Sequence, residues 1–244
     1  MGTSQSFKLK SNPNWTSAKK ALTKIATGQG DNDVNCQRLM SNFRWALGDS
    51  LYVGGGGRQG KYSFGRSGGV ALKGFLKLAS NTRQNGLMYS LGIRPDDIIS
   101  QPLTKRDIIE RILLRVCPES DADFDDDAAI IAMKRMLVVI FNDCEDSGAI
   151  EDLINSATET DMTRWIIEYE VAYILEYSIQ VFKSHIFDKS ENPNGVRSEI
   201  ERWLRREIEE KMRDKISQIE LNTPEGIEEI ETLTAEILVI WGQE

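Results

Sequence analysis

Apolar residues recur three or four positions apart along most of the chain, and this periodicity constrains the fold more than any other feature of the sequence. Such spacing places the apolar side chains on one face of a helix. No alternating strand pattern stands out in the 244 residues, and no internal repeat is visible. The sequence therefore predicts an all-α, multi-helix globular domain with a flexible N-terminal tail and a glycine-rich loop.

Capping residues and glycines place the helix ends. We expect helices over 14–27, 34–47, 70–79, 104–116, 127–141, 161–187 and 197–219, and a last helix that starts at Thr223-Pro224. Thr104 and Asp107 have the spacing of a capping box. The 127–141 segment is apolar almost all round, which is typical of a central, buried helix.

Charge divides the chain into a basic and an acidic part. Residues 1–110 carry 16 Lys and Arg against 7 Asp and Glu, a net charge of +9, and residues 111–244 have a net charge of −17. We expect a tail over 1–13, a basic helical region over 14–103 with its glycine-rich loop at 54–69, and an acidic helical region over 104–244. The two regions would form separate units or one continuous domain, and the basic part would contact an anionic partner or the acidic part.

Composition excludes several classes of function. Three widely spaced cysteines without a CxxC pair argue against a disulfide framework and a zinc site. His185 is the only histidine, so no mechanism that needs two histidines applies, and a helix end explains it adequately. No stretch approaches the length of a membrane helix and no signal peptide is visible. The expectation is a cytoplasmic protein without a membrane partner and without a catalytic constellation of its own.

The glycine-rich loop matches parts of two nucleotide-binding motifs. Gly55 to Lys61 fits G-x-x-x-x-G-K, but Tyr62 stands where a P-loop has the magnesium-binding Ser or Thr. Gly55, Gly57 and Gly60 fit a dinucleotide pattern that lacks its βαβ frame. The simplest interpretation is a loop whose glycines permit close backbone approach. Arg58, Lys61 and Arg66 on this loop are candidate contacts for an anion or a nucleic acid.

A run of acids opens like a calcium-binding loop. Asp121, Asp123 and Asp125 have the spacing of an EF-hand, but Asp126 and Ala132 stand where that loop has Gly and Glu. The alternative that fits better is a cluster of acids at the start of the next helix, where the helix dipole favours negative charge.

The first six residues, MGTSQS, match the pattern for N-myristoylation. A small second residue permits removal of Met1, which leaves an unhindered glycine amine. Its pKa of about 7.7–8.0 keeps a useful neutral fraction near pH 7, so Gly2 is a good acyl acceptor.

These residues also resemble a known family. The MGTSQS start, the Gly54–Gly57 run and the segment FGRSGGVALKGFL from Phe64 are similar to the QatB components of bacterial Qat anti-phage defence systems. The similarity covers the N-terminal third, and beyond about residue 100 it rests on helical content and acidic character.

The resemblance implies a non-enzymatic component that serves as the substrate of a partner enzyme. A QueC-like partner, QatC, would use ATP, and zinc, to attach a 7-deazaguanine to Gly2 by an amide bond. This chain would bind no cofactor itself, and the Qat ATPase and TatD-like nuclease are the further partners that the resemblance implies. The expected partner-binding residues are Gly2, Thr3, Ser4, Gln5 and Ser6. The alternative is a nucleic-acid-binding adaptor that uses the basic Gly/Arg loop.

Overall fold

The fold was described from a computed structural model, which covers residues 13–48, 64–94, 103–117, 124–182, 190–221 and 223–242. Within these ranges the chain contains α-helices, one 3₁₀ turn and no strand, so the all-α prediction is confirmed. The tail over 1–12 and most of the glycine-rich loop lie outside the described residues. The elements are α1 Pro13–Ala26, α2 Asn32–Leu47, α3 Arg66–Asn85, α4 Leu87–Ser90, α5 Lys105–Val116, α6 Phe124–Ile140, α7 Ser147–Ser156, α8 Glu159–Phe182, α9 Pro193–Gln218, α10 Pro224–Glu229, the 3₁₀ turn Ile230–Thr232 and α11 Leu233–Gly242.

Local sequence signals account for several helix starts. The capping box predicted before α5 is present, because the Thr104 hydroxyl accepts from the Asp107 amide while the Asp107 carboxylate accepts from the Thr104 amide. The Asn192 side chain caps α9, and the Thr223 hydroxyl caps α10 ahead of Pro224. Each cap satisfies one backbone N–H that the first turn of the helix leaves without an intrahelical acceptor.

Helix α8 is the central element of the fold. Its buried residues occupy every side of the helix, and it packs against α6 on one side and α9 on another. The prediction that the 127–141 helix holds this place is wrong. Helix α6 buries one face only, since Ile131, Val138 and Val139 are 39%, 51% and 54% exposed. Apolar composition all round therefore does not show which helix lies at the centre.

Ion pairs join α6, α8 and α9 beside this core. The Glu176 carboxylate on α8 accepts from Arg135 of α6 at 3.0 Å and from Arg197 of α9. Arg135 also donates to Glu201 of α9 at 2.9 Å, and Arg205 of α9 contacts Glu168 of α8 through both carboxylate oxygens. Because Glu176 is nearly buried, removing one of its arginine partners would leave a poorly solvated charge in the protein.

The ends of the described chain meet in the same core. Helices α1 and α2 form an antiparallel hairpin, and α11 packs against α2. The Trp45 indole N–H donates to the Gly242 carbonyl oxygen at 3.0 Å. The buried apolar side chains form one cluster that includes Ala18 near the start and Trp241 near the end, so basic and acidic regions share it. No helix in the described ranges is long and apolar enough to cross a membrane.

Candidate functional site

The residues predicted to carry function fall mostly outside the structure's described ranges. Of the predicted contacts only Arg66 is placed, at the first position of α3, where it is exposed. His185, Asp121 and Asp123 also lie outside. The same holds for the predicted modification and partner-binding residues and for the loop cations: Gly2, Thr3, Ser4, Gln5, Ser6, Arg58 and Lys61.

The end of the glycine-rich segment is a buried helix start. Gly65 precedes α3 with a φ of 100°, a left-handed conformation that glycine adopts without strain. Glycine has no side chain to cap a helix, and both Phe64 and Gly65 are buried. The first amides of α3 therefore need acceptors from elsewhere in the fold.

Asp125, in the first turn of α6, supplies those acceptors. Its carboxylate oxygens accept from the Gly65 amide at 3.1 Å and from the Ser67 amide at 2.8 Å. The neighbouring Asp126 accepts from the Ser67 hydroxyl at 2.6 Å. The carboxylates of Asp125 and Asp126 therefore lie at the N-termini of two helices at once, where both helix dipoles favour negative charge.

Two tyrosines of α8 complete the polar network. The Tyr173 hydroxyl donates to Asp125 and accepts from the Gly65 amide at 3.0 Å. The Tyr169 hydroxyl donates to the Gly68 carbonyl at 3.0 Å. Both rings are fully buried, and they stack on each other with centroids 5.9 Å apart. A buried polar cluster in which each of these groups has a partner fixes one relative position of the three helices.

Glycines let α3 approach its neighbours closely. A Cβ added at Gly68 would lie 2.2 Å from a ring carbon of Tyr173, and one at Gly69 would lie 2.7 Å from the Glu231 carbonyl oxygen in the 3₁₀ turn. At Gly74 the nearest atom would be the Val116 carbonyl oxygen of α5, at 3.0 Å. The small residues of this segment are therefore needed for packing, whatever further role the segment has.

The electrostatics of this helix start do not favour binding of an external anion. Burial raises the pKa of the Asp125 carboxyl, while its hydrogen bonds from Tyr173, Ser67 and Gly65 act in the opposite direction. The amides that would hold a phosphate here already bind that carboxylate. Within the described ranges, no three His, Cys, Asp or Glu residues are grouped as a metal site would require.

The outer side of α3 has a different character. The helix carries Arg66, Lys73, Lys77 and Arg83 and no acidic residue. Lys73 forms an ion pair with Glu231 at 2.5 Å, whereas Arg66 and Lys77 are exposed. Of the cations that the sequence indicates as anion contacts, Arg66 lies on this surface.

Comparison with protein-family models, with curated proteins and with solved structures gives no match. The site therefore has to be interpreted from its own residues. The sequence analysis missed the tyrosines that hold the glycine segment. Tyr169, Tyr173 and Tyr177 recur at four-residue spacing in α8, and this signal would have placed an aromatic stripe on the helix.

Proposed function

We propose that this chain is a non-enzymatic component of a Qat-type anti-phage defence system and that Gly2, after removal of Met1, accepts a 7-deazaguanine from a QueC-like enzyme. The observation that carries the proposal is the MGTSQS start together with the Gly/Arg segment that ends at α3. The chain acts in the cytoplasm as the substrate of its partner.

The chemistry of the N-terminus supports this role. After Met1 is removed, Gly2 presents a primary amine without a side chain beside it. The neutral amine attacks the activated acyl carbon, a C–N bond forms, and the activating group leaves as the amine gives up a proton. With a pKa of about 7.7–8.0, the amine needs no strong base at neutral pH. The catalytic residues, the ATP and the zinc belong to the partner.

The start of α1 is compatible with access of a partner enzyme to the N-terminal residues. Pro13, the first residue of α1, is exposed, so the preceding chain joins the domain at its surface. The eleven residues from Gly2 to Asn12 would reach about 36–40 Å if fully extended, which is enough to enter a deep active site. Thr3, Ser4, Gln5 and Ser6 have small or polar side chains that offer hydrogen bonds to an enclosing channel. Ordering them on binding costs conformational entropy, which contacts with the helices would offset.

The intact mass of the protein tests the proposal. The chain is expressed alone and together with a QueC-like enzyme of a Qat system, and the N-terminal peptide is isolated from each sample. We expect an added mass on the peptide that begins at Gly2, equal to the deazaguanine acyl group, in the co-expressed sample only.

Two variants locate the modification. Gly2→Leu prevents removal of Met1 and should abolish the mass shift, while Ser11→Ala changes none of the expected partner-binding residues and should keep it. A shift that survives in Gly2→Leu, or that maps to another peptide, contradicts the proposal.

A second function is favoured by the basic side of α3. The helix has four basic residues and no acidic one, and Arg66 is exposed next to the loop that carries Arg58 and Lys61. The chain would then act as a nucleic-acid-binding adaptor. Affinity for labelled single-stranded DNA should fall as salt rises, and Arg66→Glu should weaken binding more than Lys24→Glu on α1 does. Equal effects of the two variants, or no binding at low salt, would remove this function.

A further inference from the structure

A cavity opens where the ends of three helices meet. Its volume is about 390 Å³, and its walls come from the second half of α3, the first turns of α8 and the end of α9. Small-molecule sites are typically concave spaces of roughly 300–1,000 Å³ with an apolar lining and a few converging polar groups. Apart from Arg83, the residues that line the cavity are not used by either function above.

Helices α3 and α8 line the cavity with the same succession of side-chain types, from buried to exposed. On α3, Leu76, Ser80 and Arg83 follow one another at four- and three-residue spacing, so they share one face. Leu76 is buried, Ser80 is half-buried and Arg83 is exposed. On α8, Met162 and Thr163 are buried and Glu159, one turn before Thr163, is exposed. Each helix therefore contributes an apolar group, a hydroxyl and a charge at the rim.

The guanidinium at the rim is held in place by backbone carbonyls. Arg83 Nε donates to the Ile154 carbonyl oxygen at 3.1 Å, and Nη2 donates to the Ala157 carbonyl oxygen at 2.7 Å. These bonds fix the plane of the guanidinium and leave Nη1 for another acceptor. Ala157 comes two residues before Glu159, the charged residue that α8 contributes to the lining. Among the described residues, Arg83 and Glu159 form no ion pair with each other.

The hydroxyl below the rim has no acceptor inside the protein. Thr163 is only 6% exposed and lines the cavity, yet within the described ranges its hydroxyl makes no hydrogen bond. The hydroxyl oxygen keeps some accessible area, because it is not one of the fully buried side-chain atoms without a partner. It can therefore form a hydrogen bond with a molecule in the cavity.

We infer that this cavity binds a small amino-acid-like zwitterion with an apolar side chain. The ligand carboxylate accepts from Arg83 Nη1, and its ammonium group donates to Glu159. The apolar side chain lies on Leu76 and Met162, and the Thr163 hydroxyl bonds to the polar end. A pure anion would meet the carboxylates of Glu159 and of Glu220, which also lines the cavity, and a pure cation would meet the guanidinium of Arg83, so the site favours the zwitterion.

Three probes with the same apolar body separate the charge classes. L-phenylalanine carries both charges, phenethylamine only the positive one and 3-phenylpropanoate only the negative one. Each is titrated into the full chain, and amide shifts of residues around the cavity are followed by NMR. We expect L-phenylalanine to bind with a Kd of about 1 mM and the other two about tenfold more weakly, the effect of losing one charged hydrogen bond.

Variants tie the binding to the cavity. Glu159→Gln removes an exposed charge and should weaken L-phenylalanine about tenfold, and Thr163→Val keeps the shape and should also weaken it. Glu145→Gln, an exposed residue that does not line the cavity, is the matched control and should change nothing. Equal affinity for the three probes, no binding up to about 10 mM, or an unchanged affinity of Glu159→Gln overturns the inference. None of these results bears on Gly2, so the inference fails or stands independently of the proposed function.

Discussion

Replacing Gly68 with alanine tests whether the glycine segment is held by the tyrosines of α8. The new Cβ would lie 2.2 Å from one ring carbon of Tyr173 and 2.4 Å from another, so either the ring or α3 has to move. The ring is fully buried and lies against Phe64 and Tyr169, and its hydroxyl binds Asp125. A movement of the ring would disturb these contacts.

The loss of stability expected for Gly68→Ala follows from these contacts. Overpacking a buried site costs about 1–3 kcal/mol. Shifting Tyr173 away from Asp125 leaves a buried acceptor short of a donor, which costs about 1–3 kcal/mol more. The better helix propensity of alanine returns up to about 1 kcal/mol. We expect a net loss of about 2–4 kcal/mol in the free energy of unfolding, or a fall in Tm of roughly 5–15 °C for a chain of this size.

Thermal and urea unfolding followed by circular dichroism measure this loss. Gly148→Ala is the matched control, because it lies in a helix and its new Cβ would meet only a carboxylate oxygen of Asp146, at 3.3 Å. That variant should stay within about 0.5–1 kcal/mol of the wild type. Combining Gly68→Ala with Tyr173→Ala should make the Gly68 change nearly neutral, because the clash is gone. A Gly68→Ala protein as stable as the Gly148→Ala protein refutes the reasoning.

Three further perturbations follow from the buried polar groups. Burial raises the pKa of Glu170 to about 8, although the Thr234 hydroxyl donates to its carboxylate. The protonated carboxyl therefore contributes its full stability below about pH 4.5, and this contribution is lost as the pH rises to 8. Glu170→Gln should flatten this part of the pH dependence of the urea midpoint, and a slope as steep as that of the wild type would contradict the assignment. Asp125→Asn should destabilise by about 2–4 kcal/mol in the same assay, far more than Asp127→Asn in the same helical turn, because the amide group cannot accept from both α3 amides and Tyr173. Burial raises the pKa of the Cys36 and Cys117 thiols to about 12 and also raises that of Cys144. The folded protein should therefore react with a thiol reagent at pH 8 much more slowly than the urea-unfolded protein. Three thiols that react as fast in the folded protein as in urea would argue against this core.

Local signals predicted most helices, because caps and apolar stripes act within one or two turns. The starts of α5 and α10 and the extents of α1 and α2 agree with the sequence analysis to within about two residues, the ordinary uncertainty of helix ends. Helix α7 was missed, and the helix expected after Thr223 is divided by the 3₁₀ turn. These are short segments whose conformation depends on their neighbours.

Tertiary contacts decide what the sequence alone could not show. The expected start of α3 was Val70, since Arg66-Ser-Gly-Gly is a poor helix start by local rules, and the helix begins at Arg66 because Asp125 caps it from 60 residues away. Asp125 and Asp126 were expected to stabilise the start of their own helix, and they also bind the start of α3. The cavity likewise is lined by residues of both α3 and α8, which no local pattern brings together. The predicted acceptor Gly2 and the loop cations Arg58 and Lys61 lie outside the described residues and stay predictions.

The contact between Trp45 and Gly242 has a consequence for the order of events during synthesis. The partners are 197 residues apart, and α11 belongs to the same core as α2. A core that needs both α2 and α11 cannot complete its packing until α11 has left the ribosome. The proposed acceptor, Gly2, emerges long before that point. An enzyme that requires the finished helical surface would act only after α11 has emerged, and one that binds the first residues alone would act earlier.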